Sequence, residues 1–78
     1  MTLIFAVSYR IVELCNERDT TINKLSTICR ITQSTLEGIV NKKFVNPKTL
    51  TILRICRGLD IKLKDFYDSP LFDELDDD

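Results

Sequence analysis

Residues 21–40, TINKLSTICRITQSTLEGIV, decide how the chain is read. Ile22, Leu25, Ile28 and Cys29 recur at helical spacing, and Leu36, Ile39 and Val40 do so again after a break at Arg30-Ile31-Thr32. Thr20 or Thr21 stands where the first helix needs an N-cap, and Thr32 where the second does; a threonine hydroxyl there accepts an otherwise unpaired backbone N–H. The spacing predicts helices over about 22–29 and 33–40 joined by a turn of about three residues, a helix-turn-helix.

The same periodicity extends in both directions. Val7, Ile11, Leu14 and Cys15 predict a helix over about 4–18. Lys42 to Pro47 reads as a loop, in which Asn46 resists the α region and Pro47 suits the first turn of a helix. Ile52, Ile55, Cys56 and Leu59 predict that helix over about 48–58, with a short fifth helix over 62–67 carrying Leu63 and Phe66 inward. The expected fold is all-α, a compact five-helix bundle around a central helix-turn-helix. Two Gly and two Pro are too few for a turn-rich β domain.

Composition bounds the function. Seventy-eight residues make one small domain with a marginal core. The absence of His excludes a Ser-His-Asp triad, a Cys-His pair and any His-ligated metal. There is no Gly-rich phosphate loop, so neither an enzyme nor a cofactor is expected. The longest wholly apolar run, Leu3 to Val7, is far short of a membrane span and does not make a signal peptide. Cys15, Cys29 and Cys56 are odd in number, far apart and set among apolar residues. They read as small buried hydrophobes in a reducing cytoplasm, not as a disulfide framework or a metal site.

Charge divides the chain. Eleven Lys and Arg stand against six acids up to Tyr67, a net of +5, and the other six acids lie in 68–78. We therefore expect a domain over 1–67 that attracts phosphate and an acidic, solvated C-terminal tail over 68–78. The second helix of the motif opens Gln33-Ser34-Thr35, neutral and rich in donors and acceptors. A helix fits the major groove of duplex DNA, where Gln can bond adenine N6 and N7, Ser and Thr a base or a phosphate, and Glu37 a cytosine amine. Gly38, one turn on, would allow close approach. Thr21, Asn23, Thr32, Lys42, Lys43 and Lys48 are the candidate phosphate contacts, with Arg10 from the first helix.

From Arg10 to Phe66 the sequence resembles the phage repressor/Cro-type helix-turn-helix family, also called the XRE family. The resemblance rests on Arg10-Ile11-x-Glu13-Leu14, Leu25, Ile31-Thr32-Gln33-Ser34-Thr35-Leu36 and Ile39-x-Asn41-x-Lys43. It continues through Asn46-Pro47-x-Thr49, Ile52, Ile55-Cys56, Gly58-Leu59-x-Ile61 and Lys64-Asp65-Phe66. The family implies a lambda-repressor-like five-helix DNA-binding domain that regulates transcription, commonly as a dimer. It implies base-facing roles for Gln33, Ser34, Glu37 and Gly38, with Thr35 near a base or a phosphate. Asn41, Lys43 and the following loop match its phosphate-binding turn, and Arg10 a basic residue near the DNA backbone. The sequence departs from the family where Asp19, Arg30, Lys42 and Asp60 stand at frequent Gly positions. Ile22 replaces a phosphate-binding Gln, and Val40 an acid able to pair with the first-helix Arg.

One helix in one groove reads few base pairs, so a homodimer on a palindromic site in double-stranded DNA is expected. Its candidate interface residues are Leu3, Ile4, Phe5, Leu50, Leu53, Leu71, Phe72 and Leu75. No membrane and no small-molecule substrate is expected. The competing reading is a protein-interaction module, such as an antitoxin or an anti-repressor partner, that uses the apolar termini and the acidic tail.

Overall fold

The computed structural model describes residues 1–43 and 46–77. Five α-helices follow in order: α1 (Leu3–Glu17), α2 (Ile22–Cys29), α3 (Gln33–Val40), α4 (Thr49–Leu59) and α5 (Leu63–Tyr67). A single 3₁₀ turn, Pro70–Phe72, comes after them. Of the loop expected over 42–47, Phe44 and Val45 lie outside the described residues, as does Asp78. The fourth helix starts one residue later than its spacing suggests. Lys48 is its N-cap, which leaves Pro47 just ahead of the helix and not in its first turn.

Threonine caps set the central motif. Thr21 accepts the Lys24 N–H and Thr32 the Thr35 N–H, each at 3.2 Å. The four turns at Asp19, Arg30, Lys42 and Asp60 all keep the left-handed conformation, with φ of 51°, 57°, 62° and 56°, although none is glycine. A side chain in that conformation costs about 1–2 kcal/mol, less for Asp. The substitutions noted in the sequence thus leave the turns in place and load them with strain.

The core runs through the middle of the bundle, with Val7, Ile11, Leu25, Leu36, Ile55 and Phe66 each no more than 1% exposed. Ile28, expected in the α2 stripe, is instead 57% exposed. The buried arc of α2 runs Ile22, Leu25, Ser26 and Cys29, and at 100° per residue Ile28 falls outside it. Ser26 can occupy that arc because its hydroxyl donates to the Asn23 carbonyl at 2.7 Å. Gly58 sets the α2–α4 distance, since a Cβ there would collide with Cys29 Sγ.

Long-range bonds fix α1 to the rest. Ser8 is buried, and its Oγ donates to the Val40 carbonyl at the end of α3 at 2.6 Å. The acidic stretch after Tyr67 stays with the bundle. Phe72 packs against the core and stacks edge-on with Tyr67, ring centroids 5.1 Å apart. Asp76 N–H donates to the Met1 carbonyl, and its carboxylate pairs with the Met1 ammonium at 3.1 Å. The carboxyl-bearing residues Asp73, Glu74, Asp76 and Asp77 remain exposed.

Candidate nucleic-acid interface

The first turn of α3 presents Gln33 and Ser34 to solvent, followed by Glu37, while Leu36 and Ile39 hold the opposite side in the core. Gln33 Nε2 donates to Glu37 Oε1 at 2.8 Å. That bond orients the amide and leaves its oxygen and second N–H free, the pair that adenine N6 and N7 require. It also holds the one acidic side chain of the helix against a neighbour, not out toward a polyanion.

Thr32 and Thr35 share a second small network. The Thr32 oxygen accepts the Thr35 N–H, and its hydroxyl donates to Thr35 Oγ1 at 2.8 Å. In this arrangement Thr32 is engaged as a cap, and the hydroxyl proton left for a ligand is the one on half-buried Thr35. Thr21 keeps its hydroxyl proton, and beside it Asn23 and Lys24 are exposed in the first turn of α2. Lys24 lies outside the sequence-based candidates, and its place in the same turn as Asn23 is the signal that marks it.

Among the cations, Lys24, Lys43 and Lys48 are exposed and form no ion pair among the described residues. Two expected phosphate ligands are engaged elsewhere. Arg10 Nε and Nη2 donate to the Phe66 and Asp65 carbonyls at 2.7 and 2.8 Å, and Nη1 pairs with Glu13. Its side chain is 11% exposed, so it ties α1 to α5. The Lys42 ammonium lies 5.1 Å from the centroids of both Phe5 and Tyr9, turned toward α1.

Gly38 is buried and leaves the exposed α3 face. The chain doubles back over it, with the Lys43 N–H on its carbonyl at 2.8 Å. Asn41 is exposed at the helix end. Thr35 and Lys48 line a shallow cleft between α3 and the start of α4, together with Asn46, read from the sequence only as a loop residue, and Thr51, which the sequence does not single out.

The apolar residues considered for an interface separate into groups. Ile4 belongs to the core and Phe72 packs on it, so neither is available. Leu53 and Leu71 are half-buried, and Leu3, Phe5, Leu50 and Leu75 are exposed. Leu3 and Leu75 line one cleft with Thr2 and Asp76. All three thiols are free and buried, and burial pushes Cys29 up to about 11 and Cys15 and Cys56 upward as well. Among the described residues no cluster of His, Cys, Asp and Glu could hold a metal, and no helix is long and apolar enough to cross a membrane.

Comparison with known proteins agrees with this geometry. The family model of the Cro/C1-type HTH DNA-binding domain matches residues 10–70. The crystal structure of the prophage Lp1 protein 11 is similar to this chain with a TM-score of 0.84 and 31% sequence identity. The match covers 96% of this chain and 99% of that one. No curated protein matches.

Proposed function

The chain belongs to the Cro/C1-type helix-turn-helix DNA-binding domain family, and from that premise we propose that it is a sequence-specific transcriptional regulator acting as a homodimer on a palindromic operator in the cytoplasm. The carrying observation is the α3 face, where Gln33, oriented by Glu37, stands exposed beside Ser34. Gln33 reads adenine, Ser34 a neighbouring base, and Glu37 a cytosine amine when it is released from Gln33. Thr35, Asn41, Lys43 and Lys48 hold the backbone on one side of the helix, and Thr21, Asn23 and Lys24 on the other. The acidic stretch 68–78 contributes no DNA contact, because its charge repels phosphate.

Selection from a random duplex library, followed by a salt titration on the enriched sequence, tests this reading. The expected product is a palindrome whose half-sites lie about 34 Å apart, bound far more tightly than random DNA. Sequence-blind binding that vanishes near physiological salt would leave only the attraction of the surrounding lysines, with no role for the α3 face, and refute the reading.

A further inference from the structure

The C-terminal ends of α2 and α4 meet around an open cleft of about 520 Å³, lined by Ile28, Cys29, Arg30, Arg54, Arg57 and Gly58. Its chemistry is unlike that of the α3 face. The floor is apolar, since Ile28 lies beside the bare backbone of Gly58. The rim carries three exposed arginines, none paired with a carboxylate among the described residues. Arg30 caps α2 and Arg57 sits in the last turn of α4, where a cation offsets the negative end of a helix. That role does not extend to Arg54, three residues before Arg57, and gives no reason for an isoleucine 57% exposed between them.

The cleft also lies at the far end of these helices from the proposed phosphate contacts. Thr21, Asn23 and Lys24 begin α2 and Lys48 caps the start of α4, whereas the cleft takes the last turns of both. An eight-residue and an eleven-residue helix put roughly 12–16 Å between the two ends.

The complement is on the same molecule. Asp73, Glu74, Leu75, Asp76 and Asp77 are all exposed, an apolar side chain flanked by carboxylates. Within one copy the two surfaces do not meet. Leu75, Asp76 and Asp77 lie beside Thr2, Leu3 and Asn46, and none of 68–77 lines the arginine cleft. Two copies can satisfy both surfaces at once, because an exchange in which each cleft receives the other's acidic stretch closes on a two-fold axis.

We infer that the Arg30–Arg54–Arg57 cleft is the docking site for the acidic 73–77 stretch of a second copy of this chain, with Leu75 against Ile28. The inference rests on the homodimer reading and names its interface. It places the strongest negative charge of each protomer against arginines that DNA does not use, so the α3 faces keep their positive surroundings.

A charge exchange followed by analytical ultracentrifugation tests it. One full-length variant carries Arg54→Glu and Arg57→Glu, which leaves its cleft net negative; the other carries Asp73→Lys, Glu74→Lys and Asp77→Lys, which leaves its 73–77 stretch net positive. All five positions are exposed, and circular dichroism checks that both variants keep the helical fold. Wild type is expected to be dimeric at about 50 mM salt and to loosen toward 500 mM, where charges are screened within a few ångströms. Each variant alone should show a dissociation constant raised roughly tenfold or more, since its cleft and stretch then bear like charge. Mixing the two should restore dimers, because each cleft again faces an opposite charge. Variants that dimerise like wild type, or a mixture that stays monomeric, would overturn this interface while leaving a wild-type dimer standing. A wild type that is monomeric at every concentration and salt would overturn the dimer reading itself, and the inference with it.

Discussion

Helices α2 and α3 are built alike and face the solvent differently. Each has eight residues, a threonine N-cap whose hydroxyl takes the N–H three residues on, and a left-handed residue at or just after its end. Each buries one face, a narrow arc of Leu25-Ser26-Cys29 in α2 and a wider one of Leu36-Gly38-Ile39 in α3. Outward, α2 shows Ile28 next to Arg30, whereas α3 shows Gln33 bonded to Glu37 with Ser34 beside them. The inward pattern makes the motif, and any sequence with the same arcs would make it. The outward chemistry separates a surface suited to base edges from one suited to an acidic, apolar segment.

The largest effects should come from breaking the buried arcs. Leu25→Ala removes a fully buried side chain and should cost about 2–5 kcal/mol in urea denaturation. Ile28→Ser, three residues on, should change stability by no more than about 0.5 kcal/mol. Equal losses at the two positions would mean that the α2 arc is centred elsewhere.

Gly58→Ala tests the contact that joins α2 to α4. The new methyl collides with Cys29 Sγ, so a loss of about 1–3 kcal/mol is expected. Adding Cys29→Ala opens that space, and the pair should be less destabilising than the sum of the single changes. Strict additivity would contradict the close approach.

The shared caps predict matched, smaller effects. Thr21→Ala and Thr32→Ala should each lower stability by about 1 kcal/mol. Their consequences for DNA should differ in kind. On the proposed contacts Thr21→Ala also removes a hydroxyl facing phosphate and should weaken binding to all sequences about equally with an unchanged salt slope, whereas Thr32→Ala should not, because that proton is directed at Thr35.

The smallest effects lie at the left-handed turns. Arg30→Gly relieves that strain but frees the unfolded chain, so it should stabilise by about 0.5 kcal/mol, read as a melting temperature raised by roughly 2–4 °C. Lys42→Gly relieves the same strain but gives up the ammonium over Phe5 and Tyr9, an interaction of about 0.5–1 kcal/mol. It should therefore come out near neutral, and a gain as large as that of Arg30→Gly would deny the cation–π contact any weight.

Local periodicity made the helices legible, because the spacing of Val7, Ile11, Leu14 and Cys15 and the capping of α3 by Thr32 are decided within a few residues. Ile28 reads as inward by hydrophobicity alone, but its angle around α2 turns it outward. Ser26, nominally polar, sits on the inner side of α2 once its own helix satisfies its hydroxyl. The roles of Arg10 and Lys42 depend on partners brought from elsewhere in the chain, the Asp65 and Phe66 carbonyls and the Phe5 and Tyr9 rings, so neighbouring residues could not announce them. Phe72, in a stretch that reads as acidic, likewise joins the fold through an aromatic cluster with Phe66 and Tyr67 of α5. On α1, Phe5, Tyr9 and Val12 form an exposed stripe at helical spacing that the inward pattern of the same helix had masked.

The measurement closest to the central claim compares wild type with Gln33→Ala by fluorescence anisotropy, on the selected duplex and on a scrambled duplex, across a range of salt. If α3 reads sequence through Gln33, the variant should lose about 1–3 kcal/mol on the selected duplex. On the scrambled duplex it should bind like wild type with an unchanged salt slope. Equal affinities of wild type for the two duplexes, or a Gln33→Ala variant that discriminates as well as wild type, would contradict the account.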